Sequence, residues 1–167
     1  FMDGVGKNIQ VAIFDGDTLQ LKRTFSFDQE SGQEECAGIT VNPDDQTVWM
    51  CSSVGEESGR YLYEYSLTTG EYLRKVHIQC PPQWLQGTLY SDGTYYLTAD
   101  DGTADDNEPD HIYRVNIEHG ATNATVTLER TLDDVIFQGE IEGLTINHKT
   151  NQFLVLYNRG VIIRLGM

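Results

Sequence analysis

Three segments of the chain repeat one pattern: a glycine that opens a strand, an Asx-type turn, and a strand that returns. They are Cys36-Ala37-Gly38-Ile39-Thr40-Val41, Leu85-Gln86-Gly87-Thr88-Leu89-Tyr90 and Ile141-Glu142-Gly143-Leu144-Thr145-Ile146. Their turns are Asn42-Pro43-Asp44-Asp45-Gln46, Ser91-Asp92-Gly93 and Asn147-His148-Lys149-Thr150-Asn151, and the returning strands cover residues 47–51, 94–98 and 152–156. Asn, Asp and Gly supply the local side-chain bonds and the left-handed backbone that tight turns require. A third strand of alternating apolar and polar residues follows in each copy, at 61–65, 111–115 and 161–165. A fourth follows Thr68-Thr69-Gly70-Glu71 at 72–78 and follows Glu118-His119-Gly120 at about 125–131; the third copy stops before one.

The N-terminus supplies elements of the third and fourth kind, in Ile9-Gln10-Val11-Ala12-Ile13-Phe14 and in residues 19–27, joined by Asp15-Gly16-Asp17-Thr18. With strands lettered A to D within a repeat, the chain reads C-D, A-B-C-D, A-B-C-D, A-B-C. The repeat glycines at 38, 87 and 143 give a period of about 50 residues, the size of a β-propeller blade rather than of a helical or leucine-rich repeat. The predicted fold is therefore all-β and propeller-like, about three to three and a half four-stranded antiparallel blades in a single domain over 1–167. Its parts are a partial blade at 8–27, blades at 36–79 and 84–131, and a partial blade at 140–166. An antiparallel sandwich would also show short, evenly spaced strands, but sandwiches do not normally contain internal copies of one four-strand unit.

A propeller needs at least about four blades to close, and unpaired strand edges invite another chain. Two assemblies follow: a homodimer that completes the ring by symmetric exchange, or a fragment whose other blades lie elsewhere. The start at Phe1 also predicts a fragment or a processed form. The 26 acidic and 11 basic side chains give a formal charge of -15, which repels nucleic acid and anionic membrane surfaces. No apolar run reaches the length of a membrane span. Such a charge suits an extracytoplasmic or secreted protein, or an acidic pocket for a cation. Cys36, Cys51 and Cys80 cannot all pair within one chain; Cys36 and Cys51 lie on neighbouring strands, where a bridge or two buried thiols are the alternatives.

Gly38-Ile39-Thr40-Val41-Asn42-Pro43 with Tyr61-Leu62-Tyr63-Glu64-Tyr65, and Ile141-Glu142-Gly143-Leu144-Thr145-Ile146 with the strands after it, resemble the broad group of six-bladed propellers. Within that group the repeats look most like the SdiA-regulated and esterase-like phytase relatives, with NHL and gluconolactonase-type proteins further off. The resemblance implies that the first strand of each blade lines a central channel and that the polar residue before its glycine faces whatever is bound there. Those positions are Ala37, Gln86 and Glu142, of which Glu142 alone is a strong cation ligand.

The most polar segment runs from Asp100 to His111 and contains Asp100, Asp101, Asp105, Asp106, Glu108 and Asp110. A glycine-containing acidic loop of this kind offers the oxygen ligands that calcium takes, although the spacing is not that of an EF-hand, and a solvated acidic loop is the plainer reading. Glu142, Asp100, Asp101, Asp105, Asp106 and Asp110 are thus the candidate metal ligands, with Ca2+ the cofactor they suit. The loops between second and third strands vary in length from blade to blade, ending with Asn158-Arg159-Gly160 in the third, as loops shaping a binding face do. Trp84, Gln86 and Asn158 are the candidate ligand-binding residues; Trp84, Tyr95 and Tyr157 are suited to stack on a ring or to fill space between blades. His77, His111, His119 and His148 are scattered, with no Gly-x-Ser-x-Gly elbow and no triad. Asn123-Ala124-Thr125 matches the glycosylation acceptor pattern. Two functions follow: a non-enzymatic module that binds a small molecule or a protein, and a metal-dependent hydrolase of phytase-like or lactonase-like type acting on a phosphate ester or lactone.

Overall fold

The structure is a computed structural model that describes residues 9–53, 57–100, 109–132 and 139–167. A two-stranded hairpin comes first, β1 (Gln10–Phe14) and β2 (Leu21–Ser26). Its turn is closed by Asp15, whose carboxylate accepts from the Thr18 amide and hydroxyl at 2.9 Å each. One full blade follows, β3 (Gly38–Asn42), β4 (Thr47–Cys51), β5 (Tyr61–Ser66) and β6 (Tyr72–Gln79). A second is β7 (Leu85–Ser91), β8 (Thr94–Ala99), β9 (His111–Val115) and β10 (Asn123–Thr131). The third has three strands, β11 (Ile141–Asn147), β12 (Gln152–Tyr157) and β13 (Val161–Gly166).

Within each blade neighbours pair antiparallel in sequence order. The two full blades are also joined at their outer edges, where Asn123–Thr125 pairs parallel with His77–Gln79. For this reason β10 begins at Asn123, earlier than its local pattern predicts. The expectation of blades in the order C-D, A-B-C-D, A-B-C-D, A-B-C is met. β1 does not compete for a third-strand place beside β12; it stays with β2 and packs on the first full blade.

The packing explains why strand β4 is buried at every position. Successive side chains of a strand face opposite ways, and here each face meets a different neighbour. Val48 and Met50 join Tyr63 and Tyr65 against Val11, Phe25 and Phe27 of the N-terminal segment. Trp49 and Cys51 point the other way, into a core shared with Leu85, Tyr95, Leu97 and Ala99 of the second blade. On the far side of that blade Tyr96 and Ile112 meet Ile141, Phe153, Val155 and Tyr157 of the third. Tyr95 and Tyr157 are thus inter-blade filler. The outward face of the third blade stays open, with Leu156 at 42% and Ile162 at 64% exposure.

The repeat glycines let the innermost strands touch. A methyl group on Gly38 would lie 2.7 Å from the Thr88 nitrogen and 2.9 Å from the Gly87 Cα; one on Gly87 would lie 2.7 Å from the Glu142 carbonyl and 3.2 Å from the Gly143 Cα. Each glycine therefore makes room for the first strand of the next blade. Among the described residues Gly143 has no such tenant: the Leu156 Cβ stands nearest, at 3.9 Å.

Cys36 and Cys51 are thiols, not a bridge. Burial, then the neighbouring Glu35 carboxylate, pushes the Cys36 thiol up to about 12, and burial raises Cys51 further.

Candidate functional site

The pole at which β3, β7 and β11 begin is assembled from equivalent positions in the three blades. One residue before each glycine stand Ala37, Gln86 and Glu142; three before it stand Glu35, Trp84 and Glu140. Just past the second strands come Ser53, Asp100 and Asn158. The second and third sets are tied together: the Asp100 amide donates to the Trp84 carbonyl at 3.2 Å and the Asn158 amide to the Glu140 carbonyl at 2.9 Å. In the first full blade the Glu35 carboxylate accepts from the Ser53 amide at 2.5 Å, and the Glu35 carbonyl accepts from the Ser52 hydroxyl at 3.1 Å.

Gln86 and Glu142 both sit at register shifts, between Leu85 and Gly87 and between Ile141 and Gly143. A bulge of this kind re-aims the extra side chain. The Gln86 amide reaches across to the third blade and donates to a Glu140 carboxylate oxygen. Glu142 is engaged through its backbone, its carbonyl accepting from the Thr98 hydroxyl at 3.4 Å. Ala37 brings no polar group to the pole.

Asp100 and Asp110 are buried, at 6% and 8% exposure, although they bound the loop whose plainer reading was full solvation. The Tyr157 hydroxyl reaches Asp110 from the next blade. Burial above all, then the Asp110 carboxylate and, least, Asp100, holds the Tyr157 proton on well beyond the ordinary phenol range. Asp101, Asp105 and Asp106 lie outside the described residues. Among the described residues no three His, Cys, Asp or Glu side chains are grouped to hold a metal ion. Asp100, Asp110 and Glu142 are the members of the expected ligand set that lie among the described residues.

Two features mark this rim as able to receive something. The Asn158 side-chain oxygen is buried and has no hydrogen-bond partner among the described residues. Trp84, by contrast, is 51% exposed and held at φ +52°, a left-handed conformation that costs a bulky residue energy and that clusters at functional positions. Sequence reasoning singled out Trp84, Gln86 and Asn158 but missed Glu35 and Glu140. Their signal was the common offset of three residues before the repeat glycine.

Solved structures with this arrangement were found in several unrelated settings. The β-propeller domain of Myceliophteria thermophila Cps50 (Swd1) matches 94% of the chain and 45% of its own at 10% identity and TM-score 0.51. A chain of the mitotic checkpoint complex matches 94% and 44% at 9% identity and TM-score 0.54. Myxococcus xanthus glutaminyl cyclase matches 87% and 59% at 9% identity and TM-score 0.57. The fold is that of a β-propeller. At these identities the likeness concerns the fold alone, and the chain spans about half the length of these matched chains. No protein-family model matches the sequence, and no curated protein does. Among the described residues no helix is long and apolar enough to cross a membrane.

Proposed function

We propose that this propeller segment is a non-enzymatic binding module whose ligand sits on the strand-start pole between the second and third blades. The observation that carries the reading is the pairing of an unsatisfied, buried acceptor, the Asn158 oxygen, with an exposed aromatic plate, Trp84. A buried acceptor left unbonded costs about 1–3 kcal/mol, and a ligand N–H or O–H recovers it. Gln86 is held at that pole by Glu140. The ligand is thus a small molecule or protein segment that donates a hydrogen bond and offers a flat apolar face. Channel-facing residues before the repeat glycine are also what the resemblance to the six-bladed SdiA-regulated and NHL-type group implies.

We infer further that the ring is completed by more blades, supplied by a second copy or by another chain. The open side of Gly143 and the bare outward face of the third blade support this. A thermal-shift panel of neutral oligosaccharides and short peptides tests the site. Hits should disappear in both Trp84→Ala and Asn158→Ala; a panel without hits, or hits that survive both substitutions, contradicts it. Light scattering tests the assembly, with a mass near twice 18.8 kDa expected for ring completion by two copies.

A further inference from the structure

A cavity of about 560 Å³ opens at the opposite pole, in the cleft between the two full blades. Its walls are aromatic. Trp49 and Tyr95 lie with ring centroids 5.0 Å apart, and Tyr90 stands 5.0 Å from Tyr95 on the other side. Its floor is a carboxylate, Glu64, on β5 at 6% exposure. One Glu64 oxygen accepts from the Arg74 Nε at 2.5 Å. A carboxylate has about four acceptor sites, so Glu64, which lines the cavity, has acceptor capacity beyond the Arg74 bond. Asp45, at the mouth, accepts from the Asn42 amide at 3.1 Å, and Asp44 holds the Tyr90 hydroxyl at 2.7 Å.

Arg74 does not make the cavity an anion site. Its guanidinium is held by Glu64, by the Ala121 carbonyl at 2.5 Å and over the Trp49 ring 5.5 Å away, with carboxylates in the majority around it. It shows instead what the cleft accommodates: a cation lying on an aromatic face with a carboxylate beside it. Burial, with the fields of Glu64, Tyr90 and Asp45 behind it, raises the Tyr95 hydroxyl, as expected where the local potential is negative.

We propose that this inter-blade cleft binds an organic ammonium group, its charge between Glu64 and Asp45 and its carbon body against Trp49, Tyr95 and Leu73. Cation–aromatic contact, and three carboxylates, Glu64, Asp45 and Asp44, set against the single Arg74 guanidinium, favour such a group together. Its source is a free alkylamine or a lysine side chain of a peptide, which share this chemistry. The site is independent of the strand-start pole.

The test is an NMR titration with three probes: n-butylammonium, a blocked pentapeptide with lysine at its centre, and butyrate as the charge-reversed control. Both ammonium probes should shift the Trp49 indole N–H and the Leu73 amide saturably, the tighter one identifying the source, while butyrate leaves both still. Affinity should fall about tenfold in Glu64→Gln and about threefold in Asp45→Asn, by the loss of a desolvated or an exposed charge contact respectively. Asp45 is an exposed turn residue, so its variant carries the test if Glu64→Gln fails to fold. No saturable shift with either ammonium probe, affinity unchanged in the variants, or tighter binding of butyrate overturns the proposal.

Discussion

Replacing Gly87 by Ala probes the contact on which the blade arrangement rests. The added methyl would stand 2.7 Å from the Glu142 carbonyl oxygen, 2.9 Å from the Thr98 hydroxyl and 3.2 Å from the Gly143 Cα. Two of these are backbone atoms of the neighbouring blade and cannot turn aside, so β7 and β11 must part by several tenths of an ångström. Overpacking of this kind costs about 1–3 kcal/mol, against about 0.4–1 kcal/mol gained because alanine narrows the unfolded ensemble. The net loss expected is about 1–2 kcal/mol, or a fall in Tm of about 2–8 °C for a chain this size. Gly143→Ala is the matched control: among the described residues its methyl meets nothing nearer than the Leu156 Cβ at 3.9 Å, so it should be neutral or slightly stabilising. Urea unfolding followed by circular dichroism reads both. A neutral Gly87→Ala, or equal losses in the two variants, refutes the idea that these glycines are spacers between adjacent first strands.

Leu97, fully buried between the two full blades, should cost about 2–5 kcal/mol as Leu97→Ala, again by urea midpoint; a loss under about 1 kcal/mol contradicts that core. Arg74→Ala strands the buried Glu64 carboxylate and should cost about 2–4 kcal/mol, most of it recovered in the double variant with Glu64→Gln, as a double-mutant cycle will show. With Cys51 buried, Cys36 half-buried with its thiol pushed up to about 12, and Cys80 exposed, a disulfide reagent near neutral pH should titrate Cys80 fast, Cys36 slowly and Cys51 only on unfolding. Asp15 is held down to about 2 by Lys22 and by the Thr18 bonds. Because its folded value lies below the ordinary aspartate value of 3.8, its contribution is present above that value and is lost as pH falls through about 2; carboxyl NMR should show that low midpoint, and Lys22→Ala should raise it.

The blade repeat was legible because it rests on local chemistry: only glycine tolerates the approach at positions 38 and 87, and Asx turns mark each reversal. Strand β9 matches its expected limits because its alternation is strong. The start of β10 was misplaced by two residues because Asn123–Thr125 is fixed by parallel pairing with β6, a contact that no local pattern records. Asp100 and Asp110 read as part of an acidic loop, yet Tyr157 from the next blade covers that corner. Trp84 offered no hint of its left-handed backbone, since nothing in a Trp-Leu-Gln-Gly string requires it. Glu35 and Glu140 come into view once the three blades are superposed on their glycines. The inter-blade cleft is the least legible part, for Glu64, Trp49 and Tyr95 belong to strands of two different repeats.

The most direct test of the account is a proton NOE experiment on the isotopically labelled chain, read at the repeat glycines. Adjacent first strands predict cross-peaks from the Gly38 Hα protons to Thr88 and from the Gly87 Hα protons to Gly143. Their presence places the three hairpins side by side around one axis; their absence, with the strands otherwise intact, would mean that the repeats are arranged in some other sheet and that the pole built on them does not exist.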